Sequence, residues 1–577
     1  MVYNLRPKIK VKHDSRTWKN YTQIADEISQ QFVNGKRTLA LECYPGVNLH
    51  EIEELLLSKL KGVRLIKADD YAYDAETITN KIAANLTDDR VFGLMSHATL
   101  DEFFPNYEIR QIKKEIAEES RNIVVYGTGA TILLPNPDIL CYADLTRWEI
   151  QKRYRAGMPN WKAANESEDN LKKVKRGFFF EWRVADRLKQ KVTDRLDYLL
   201  DTNVSCQAKM VDGVSYRNAL DQIVKQPFRL VPYFDASVWG GQWMKKEFNL
   251  NPEMENYGWA FDGVPEENSL CLDFSGVAIE IPAINVVHQR PIPLLGKKVQ
   301  ARFGNEFPIR FDYLDTVGGG NLSLQVHPRV DYIQDKFGMF YTQNESYYIL
   351  QASEKSTIYL GVKEGTEKAE LFKELRKAEK GDYRFPDEKF INCFPVNKHD
   401  HYSIPAGTIH CGGPETVVLE ISQTPYIFTF KLWDWERLGL DGLPRPVHLN
   451  HGEENVNTAY DTKWVQENLI NPFETLHEDN ESRVEKTGLH ELEFIETHRH
   501  WFKKEVTVKV HQSVNMLNLV EGETITVESL DNSFDPFEVH YGETFIVPEA
   551  VKEYKLVNQG NQEKEVAVIQ AFVRNFS

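Results

Sequence analysis

The sequence predicts a multidomain protein: an N-terminal α/β domain followed by two all-β domains with a small helical insertion. Three observations predict this fold class. The chain has 577 residues, which is more than one hydrophobic core usually organises. Residues 35–225 alternate short apolar runs with amphipathic segments, as a parallel α/β domain does. Beyond about residue 230, strand-like runs are separated by Gly, Pro, Asn and Asp, which is typical of a β-sandwich or barrel.

Four segments carry the α/β prediction. "RTLALECY" (37–44) and "NIVVYGTGATILL" (122–134) are short apolar runs, as buried strands are. "LHEIEELLLSKLKG" (49–62) repeats its leucines at helical spacing, and "TRWEIQKRYRAG" (146–157) is a basic helix. Strands that alternate with helices favour a parallel sheet.

The β-rich remainder contains a loose internal repeat. "IPAGTIHCGGPETVVLEIS" (404–422) and "GETFIVPEAVKEYKLVNQG" (542–560) both read strand, Pro-containing turn, strand, which indicates a duplicated barrel. The charged stretch 472–491 is the predicted linker between the two copies, and 365–381 is the predicted helical insertion. The predicted domains are residues 1–230, 231–471 and 472–577.

Composition excludes several classes of protein. A net charge of −17 argues against non-specific binding to nucleic acid, and requires any site for an anionic substrate to build a local positive patch. No run of about 18 apolar residues predicts a membrane span, and the polar start of the chain does not resemble a secretory signal. The six cysteines form no CxxC pair, so we expect no disulfide framework and a reducing, cytoplasmic location.

Four polar residues in strand-like surroundings indicate a metal site. Gln325 and His327 are two positions apart, so on a strand both point to the same face. Glu345 opens the next apolar run, and His410 follows the Pro-Ala-Gly turn of 405–407. Each residue alone also fits a structural role. Together they form a mixed nitrogen and oxygen ligand set suited to Zn, Fe, Mn or Ni, with room for a substrate oxygen.

Five motifs, in order, resemble those of type I mannose-6-phosphate isomerases, and the resemblance spans residues 231–577. The motifs are "VWGGQWMKKEF" (238–248), "RFGNEFPIRFDYLDTVGGGNLSLQVHP" (302–328), "YLGVKEGTEKAELFKEL" (359–375), "IPAGTIHCGGPETVVLEISQ" (404–423) and "LWDWERLGLDGLPRPVHLN" (432–450).

The resemblance implies a double cupin (jelly roll) that holds one zinc ion in its first barrel. It implies that Ser323 lies near the substrate phosphate and that Glu420 and Arg437 line the sugar pocket. The implied reaction interconverts mannose 6-phosphate and fructose 6-phosphate by moving a proton between C1 and C2 through a cis-enediol. Such a reaction needs a cation at the carbonyl and a base for the proton. The implied zinc ligands are Gln325, His327, Glu345 and His410.

The sequence departs from the family close to this chemistry. Gln343 stands where members usually carry a substrate-binding Lys, and Lys431 is the nearest counterpart of a catalytic Arg. Lys presents a point charge where Arg presents a planar fork, so the phosphate grip and the proton transfer could both be weakened.

The remaining histidine pairs are expected to have no role at the metal. We expect His399 and His401 to be strand-entry residues rather than ligands, and His498 and His500 to lie on the surface of the second barrel. That second barrel reads "FIVPEAV" (545–551) without the ligand His, so we predict that it is metal-free.

The N-terminal part resembles a uridine-kinase-like nucleoside kinase of the P-loop class. Such a loop needs a Lys-Ser/Thr pair after its last Gly. Here Gly46 is followed by Val47, Asn48 and Leu49, so the resemblance implies a degenerate kinase-like domain. The segments that carry it are "TLALECYPGVNLHEIEELL" (38–56), "KADDYAY" (67–73) and "ADLTRWEIQKRYRAG" (143–157).

These features predict a zinc-dependent aldose–ketose isomerase with a small sugar phosphate as its partner and no nucleic acid or membrane partner. Two alternatives remain open. One is a catalytically impaired regulatory protein that binds the sugar phosphate. The other is a metal cupin isomerase that acts on a different sugar.

Overall fold

The computed structural model describes residues 2–379, 383–439, 442, 445–488, 490–491 and 493–574, and the chain divides into two compact units. We call Lys8–Ile223 with Ser269–Gln289 the α/β unit. The described residues of Met1–Pro7, Val224–Asn268 and Arg290–Ser577 form the β-rich unit. The segment 269–289 therefore belongs to the α/β unit, although the sequence assigned it to the domain 231–471.

The α/β unit is built on a seven-stranded sheet. Five of its strands are parallel, and Lys209–Asp212 and Thr17–Trp18 extend one edge in antiparallel fashion. The strand Thr38–Cys43, in the middle of the five parallel strands, is buried except at Thr38, which explains its nearly continuous apolar sequence. Across the sheet the order is Thr17–Trp18, Lys209–Asp212, Tyr198–Asp201, Ile139–Asp144, Thr38–Cys43, Asn122–Gly127, Val63–Lys67.

The helices of this unit include both helical segments predicted from the sequence. Asn20 caps the first helix by accepting a hydrogen bond from the Gln23 backbone N–H. The α-helices are Tyr21–Val33, Leu49–Leu55, Ala75–Lys81, Ala83–Leu86, Asn106–Glu118, Ala130–Leu133, Arg147–Arg155, Asn170–Arg176, Trp182–Val192, Gly213–Ile223 and Ile284–Gln289, with a π-helical turn at Gly177–Glu181. A small sheet joins Lys8–Lys10, Ser269–Phe274 and Val277–Pro282.

The first β-sandwich of the β-rich unit pairs two antiparallel sheets. One runs in the order His401–Ile404, Asn344–Gln351, Val417–Gln423, Arg310–Asp315, Trp259–Gly263, Tyr233–Asp235. The other runs in the order Ile391–Pro395, Thr357–Val362, His410–Gly412, Leu324–Val326, Phe430–Trp433. The helices around both sandwiches are Trp243–Glu247, Pro291–Leu295, Lys297–Phe303, Val330–Phe337, Lys368–Ala378, Asp387–Phe390, Leu449–Asn455 and Thr462–Asn468.

The helical insertion predicted at 365–381 is the helix Lys368–Ala378. Its Leu371, Phe372 and Leu375 are buried on one face, as their spacing predicts. The last two residues of the predicted range lie outside the described residues.

A second β-sandwich follows, as the internal repeat predicts. Apolar side chains from both of its sheets, among them Phe502, Leu517, Ile525 and Leu556, form one fully buried cluster. The sheets run Glu474–Glu478, Ser482–Thr487, Ile495–Phe502, Val566–Val573, Asn515–Glu521, Thr544–Val547, and Glu505–Lys509, Glu553–Asn558, Thr524–Ser529, Phe537–His540.

The linker predicted at 472–491 is wrong. This stretch forms the strands Glu474–Glu478 and Ser482–Thr487, which pair with each other and with Ile495–Phe502. Every residue of the first strand is exposed, because that strand lies at the edge of its sheet. A charged, apolar-poor composition therefore reflects an exposed edge strand rather than an unstructured connection.

A buried ion-pair group links the two sandwiches through Arg229. Asp262 lies on the strand Trp259–Gly263 of the first sandwich, and Glu543 directly precedes the strand Thr544–Val547 of the second. The Arg229 guanidinium contacts Glu543 at 2.5 Å and Asp262 at 3.3 Å, and all three side chains are almost fully buried. The second Asp262 oxygen accepts a hydrogen bond from the Thr544 backbone N–H at 2.8 Å. The charge of the guanidinium is thus balanced entirely by groups inside the unit.

Candidate metal centre

Two histidines and a glutamate converge inside the first sandwich. His327 Nε2 lies 3.0 Å from Glu345 Oε2, and His410 Nε2 lies 2.9 Å from Glu345 Oε1. The three ligand atoms lie within 4.8 Å of one another, and all three side chains are buried. Gln325 completes the group, because its side-chain amide is 3.1 Å from His410 Nε2. All four residues predicted as ligands are therefore brought together.

Backbone carbonyl groups orient both imidazoles. His327 Nδ1 lies 3.0 Å from the carbonyl oxygen of Phe428, and His410 Nδ1 lies 2.9 Å from that of Thr408. A carbonyl oxygen only accepts, so each Nδ1 carries the proton and donates it. Each Nε2 is then left with its lone pair directed at the other ligand atoms, which is the tautomer that a metal requires.

The electrostatics of this cluster suit a divalent cation. Burial alone raises the pKa of Glu345, but positive charge and N–H donation from the side of His327 and His410 hold that pKa well below its usual value, and a cation bound to the same nitrogens would supply this positive charge instead. His327 Nε2 and Glu345 Oε1 are buried and have no hydrogen-bond partner among the described residues. A cation bound between them would satisfy both atoms, and imidazole with carboxylate suits zinc and its neighbours.

Gln343 and Glu420 lie next to the cluster. Gln343 Nε2 donates to Glu345 Oε2 at 2.8 Å and to Glu420 Oε1 at 3.5 Å. Burial, followed by the charges of Asp312 and Glu345, raises the pKa of Glu420 well above its usual value. Asp312 was not predicted as a site residue, yet it pairs directly with Glu420 across the sheet. Its place within the motif 302–328 is the one signal for it in the sequence.

A second polar group surrounds Ser323, four residues before His327. The Ser323 hydroxyl donates to Asp434 at 2.9 Å, and Arg437 and Arg445 each contact the same carboxylate at 2.8 Å. Arg445 also donates to the Ser323 hydroxyl at 3.2 Å. Two guanidinium groups around one carboxylate leave a net positive charge. Asp434 and Arg445 were not predicted, although both lie within the quoted motif 432–450.

Lys431, predicted as catalytic, lies on the strand Phe430–Trp433. Its Cα stands opposite that of Gln325 in the antiparallel register. Residues paired in this way point to the same face of the sheet, so Lys431 shares a face with Gln325.

The other histidines lie outside the metal cluster. His401 opens the strand His401–Ile404, as predicted, and bonds to Ser346 and Thr487. His399 bonds to Tyr348 and contacts Glu521.

The prediction that His498 and His500 lie on the surface is wrong. Both are buried, with 6% and 5% of their surface exposed. The strand Ile495–Phe502 turns them toward the inside of the second sandwich, where His500 Nε2 pairs with Gln570 at 2.8 Å. Across the part of the chain that the structure describes, the first sandwich holds the one group of three metal-ligating side chains at this spacing.

In the α/β unit, carboxylates occupy the carboxyl edge of the parallel sheet. Glu42 accepts hydrogen bonds from the backbone N–H groups of Gly129 and Thr131 at 2.6 and 2.7 Å. Asp69 accepts from the Thr128 N–H at 3.2 Å and from the Trp161 indole at 2.8 Å. The N–H groups of Thr128, Gly129 and Thr131, which could otherwise bind an anionic ligand at this edge, are thus paired within the unit.

Among the described residues, no helix has both the length and the apolar character that crossing a membrane requires. None of the six cysteines, all of which lie in the described part of the chain, forms a disulfide, and four of them are buried.

The fold and the cluster define a two-sandwich β protein with a buried candidate metal centre of two histidines and one glutamate.

The chain is similar to known proteins in both of its parts. Residues 20–225 match the family model described as "Domain of unknown function (DUF8485)". The mannose-6-phosphate isomerase of Streptococcus mutans is 26% identical over 228 residues, which is 39% of this chain and 66% of that protein. The mannose-6-phosphate isomerase ManA of Bacillus subtilis is 22% identical over 333 residues, which is 57% of this chain and 96% of that protein.

The crystal structure of the mannose 6-phosphate isomerase from Bacillus subtilis aligns with 60% of this chain and 99% of its own, at 19% identity and a TM-score of 0.48. The chain thus spans about two thirds of the Streptococcus mutans relative and nearly all of the Bacillus subtilis one.

Proposed function

We propose that the chain is a cytoplasmic, zinc-dependent isomerase of the double-cupin type that interconverts mannose 6-phosphate and fructose 6-phosphate. The observation that carries the proposal is the buried convergence of His327, Glu345 and His410 beside Glu420. The sequence relatives named mannose-6-phosphate isomerase support the choice of substrate.

The proposed ligands are His327, Glu345 and His410, together with Gln325 once its amide oxygen is turned toward them. A bound zinc ion would supply a positive charge that polarises the substrate carbonyl. Glu420 is the proposed base: it takes the proton from one of the two carbons C1 and C2 and returns it to the other. Gln343, held against both Glu345 and Glu420, orients the sugar between them.

The phosphate group of the substrate is proposed to bind at Ser323, Arg437 and Arg445. Ser323 and Gln325 point to the same face and, at about 3.3 Å per residue, lie about 7 Å apart along the chain. A sugar phosphate could then place its carbonyl end at the metal ligands and its phosphate at the two guanidinium groups. Arg forks bind phosphate in two-point fashion, and Asp434 holds both in place.

The test is a coupled assay for fructose 6-phosphate formed from mannose 6-phosphate, with added zinc and with chelator. We expect turnover that chelator abolishes and zinc restores. Glu420→Gln should lower kcat by about 100-fold or more, as loss of a general base does. Glu415→Gln is the matched control, because Glu415 bonds to the Gly318 backbone instead. Zinc-loaded, folded protein without turnover would contradict the proposal.

A second candidate is a regulatory protein that binds the sugar phosphate without turnover. The observation that favours it is Gln343, a neutral side chain inserted between Glu345 and Glu420 where a cation would assist the reaction. Isothermal titration with fructose 6-phosphate distinguishes the two: binding without turnover supports this candidate. Turnover of an unphosphorylated or differently phosphorylated sugar instead would identify an isomerase of another sugar.

We propose that the α/β unit is a degenerate kinase-like domain without nucleotide-handling activity. The pairing of Glu42 and Asp69 with the backbone of residues 128–131 supports this, because those donors are not available to a phosphate. A fluorescent ATP analogue with Mg²⁺ tests it. Saturable binding that unlabelled ATP displaces would contradict the proposal.

A further inference from the structure

Four buried polar atoms around the candidate metal centre have no hydrogen-bond partner among the described residues. They are His327 Nε2, Glu345 Oε1, Gln343 Oε1 and the hydroxyl oxygen of Tyr347. A cation accounts for the first two. It does not account for the phenol of Tyr347, because a neutral phenol is primarily a hydrogen-bond donor in such a setting. Buried polar groups in folded proteins nearly always have a partner, so the missing partner of Tyr347 needs an explanation.

Tyr347 lies between a proposed zinc ligand and the proposed base. Its ring meets the His410 imidazole edge-on, with centroids 5.9 Å apart and planes at 81°. On the neighbouring strand its direct partner is Glu420. Only 1% of its surface is exposed.

The ring also spans the space between the two sheets. Its Cε2 atom is 4.0 Å from the position that a Cβ atom on Gly412 would occupy, on the strand of the opposite sheet that carries His410. The ring is therefore packed against His410 and reaches the strand of the opposite sheet, while its hydroxyl has no partner among the described residues. A buried donor without a partner, beside one imidazole and opposite Glu420 in the sheet register, is prepared for an oxygen atom that enters the site.

We infer that the Tyr347 hydroxyl contacts the substrate, donating a hydrogen bond to a carbonyl or hydroxyl oxygen of a sugar bound between His410 and Glu420. This inference rests on the proposed function of the site and assigns it a further specificity-determining residue. The ligand class follows from the proposed function: a polyhydroxylated carbonyl compound carries several oxygen atoms that can accept a hydrogen bond from the phenol.

The substitution that isolates this contact is Tyr347→Phe, which removes the hydroxyl and keeps the packed ring. Tyr348→Phe is the matched control. Tyr348 is next in sequence, so its side chain points to the opposite face of the sheet, and its hydroxyl bonds to His399 at 2.8 Å. Both variants therefore remove one phenolic hydroxyl. The hydroxyl lost in Tyr347→Phe has no partner among the described residues, and the one lost in Tyr348→Phe is bonded to His399.

We expect zinc-loaded Tyr347→Phe to keep the zinc content and the Tm of the wild type, or to exceed that Tm, because the hydroxyl it loses is unpaired in the ligand-free protein. Its kcat/KM for mannose 6-phosphate should fall about tenfold or more, which corresponds to about one hydrogen bond. Tyr348→Phe should show the reverse: a lower Tm and an unchanged kcat/KM.

A lower Tm of Tyr347→Phe together with an unchanged kcat/KM would overturn the inference, because the hydroxyl would then have a structural partner. Failure of the proposed function is a separate outcome, seen as a wild type without turnover. In that case isothermal titration with fructose 6-phosphate decides. Weaker binding to Tyr347→Phe than to the wild type would sustain the contact. Equal binding, or no binding to either protein, would overturn it.

Discussion

Asp312 and Glu420 lie directly opposite each other on neighbouring antiparallel strands, and both carboxyl groups are buried on the sheet face that carries Glu345. Burial and neighbouring charges raise the pKa of Asp312 to about 8 and that of Glu420 well above its usual value, so the three carboxyl groups are not all ionised together at neutral pH. Under the proposed function the sugar lies against this face, and its phosphate binds at the guanidinium groups of Arg437 and Arg445.

Removal of one imidazole should abolish metal binding. We expect His410→Ala to retain almost no zinc after dialysis, because it loses a ligand whose position is fixed by the Thr408 carbonyl. His399→Ala should bind one zinc ion per chain like the wild type, since His399 contacts Glu521 instead. Mass-spectrometric metal analysis makes the comparison. Equal zinc in both variants would show that the metal binds elsewhere.

The phosphate site should respond to the loss of one guanidinium. Arg445→Met removes a charge-assisted hydrogen bond worth about 1.5–3 kcal/mol, so KM for the sugar phosphate should rise about 10- to 100-fold with a smaller change in kcat. Inorganic phosphate should also become a weaker competitor. Arg376→Met, which removes a pair with Glu453 on the surface, is the control. An unchanged KM would place phosphate recognition away from Ser323.

The buried group of Arg229, Asp262 and Glu543 should be important for stability. Arg229→Met leaves two carboxyl groups without their countercharge, and breaking a buried pair in this way costs about 3–5 kcal/mol. The free energy of unfolding, measured with urea, should fall by that amount. The exposed Arg376→Met should cost less than about 1 kcal/mol. Equal effects in the two variants would mean that the buried group contributes little.

Stability should fall in mild acid because of His401. Burial lowers the pKa of His401 to about 3, whereas the unfolded chain has a value near 6.5. Between these values the unfolded state binds more protons, so the free energy of unfolding decreases as the pH falls from about 6.5 toward 3. At pH 5 this single group should cost on the order of 2 kcal/mol.

His401→Gln should make that pH dependence shallower, because the amide can still bond to Ser346 and Thr487 but does not titrate. His477→Gln, on the exposed edge strand, is the control and should follow the wild-type curve. Parallel curves for His401→Gln and the wild type, measured by urea unfolding at several pH values, would contradict the assignment.

The sequence predicted those features that depend on local pattern. The strand–helix alternation, the two sandwiches and the helix near 368–378 follow from periodicity and turn residues, and the four residues that converge in the first sandwich follow from their spacing together with the family resemblance. Asp312 and Tyr347 were not predicted, because their importance arises from strand register: both pair with Glu420, far away in sequence. Register of this kind is set by the tertiary fold rather than by neighbouring residues.

The two incorrect predictions, the linker at 472–491 and the surface position of His498 and His500, also have physical causes. The charged stretch at 472–491 looks like a linker because an edge strand is exposed on both faces. His498 and His500 stand in a polar segment, which favours the surface, yet Gln570 provides His500 with a partner inside the sandwich. A buried polar pair cannot be recognised from one of its members alone.

The α/β unit is assembled from two stretches of chain, and this has a consequence for biosynthesis. The strand Lys8–Lys10 has its sheet partner in Ser269–Phe274, which the ribosome adds only after the first residues of the β-rich unit have been made. The small sheet of Lys8–Lys10, Ser269–Phe274 and Val277–Pro282 therefore cannot form, and the unit stays incomplete, until Gln289 has emerged from the ribosome. A gene truncated near codon 230 would encode a fragment with the same permanent defect, and separate expression of the unit would need residues 269–289 supplied as a fused or co-produced segment.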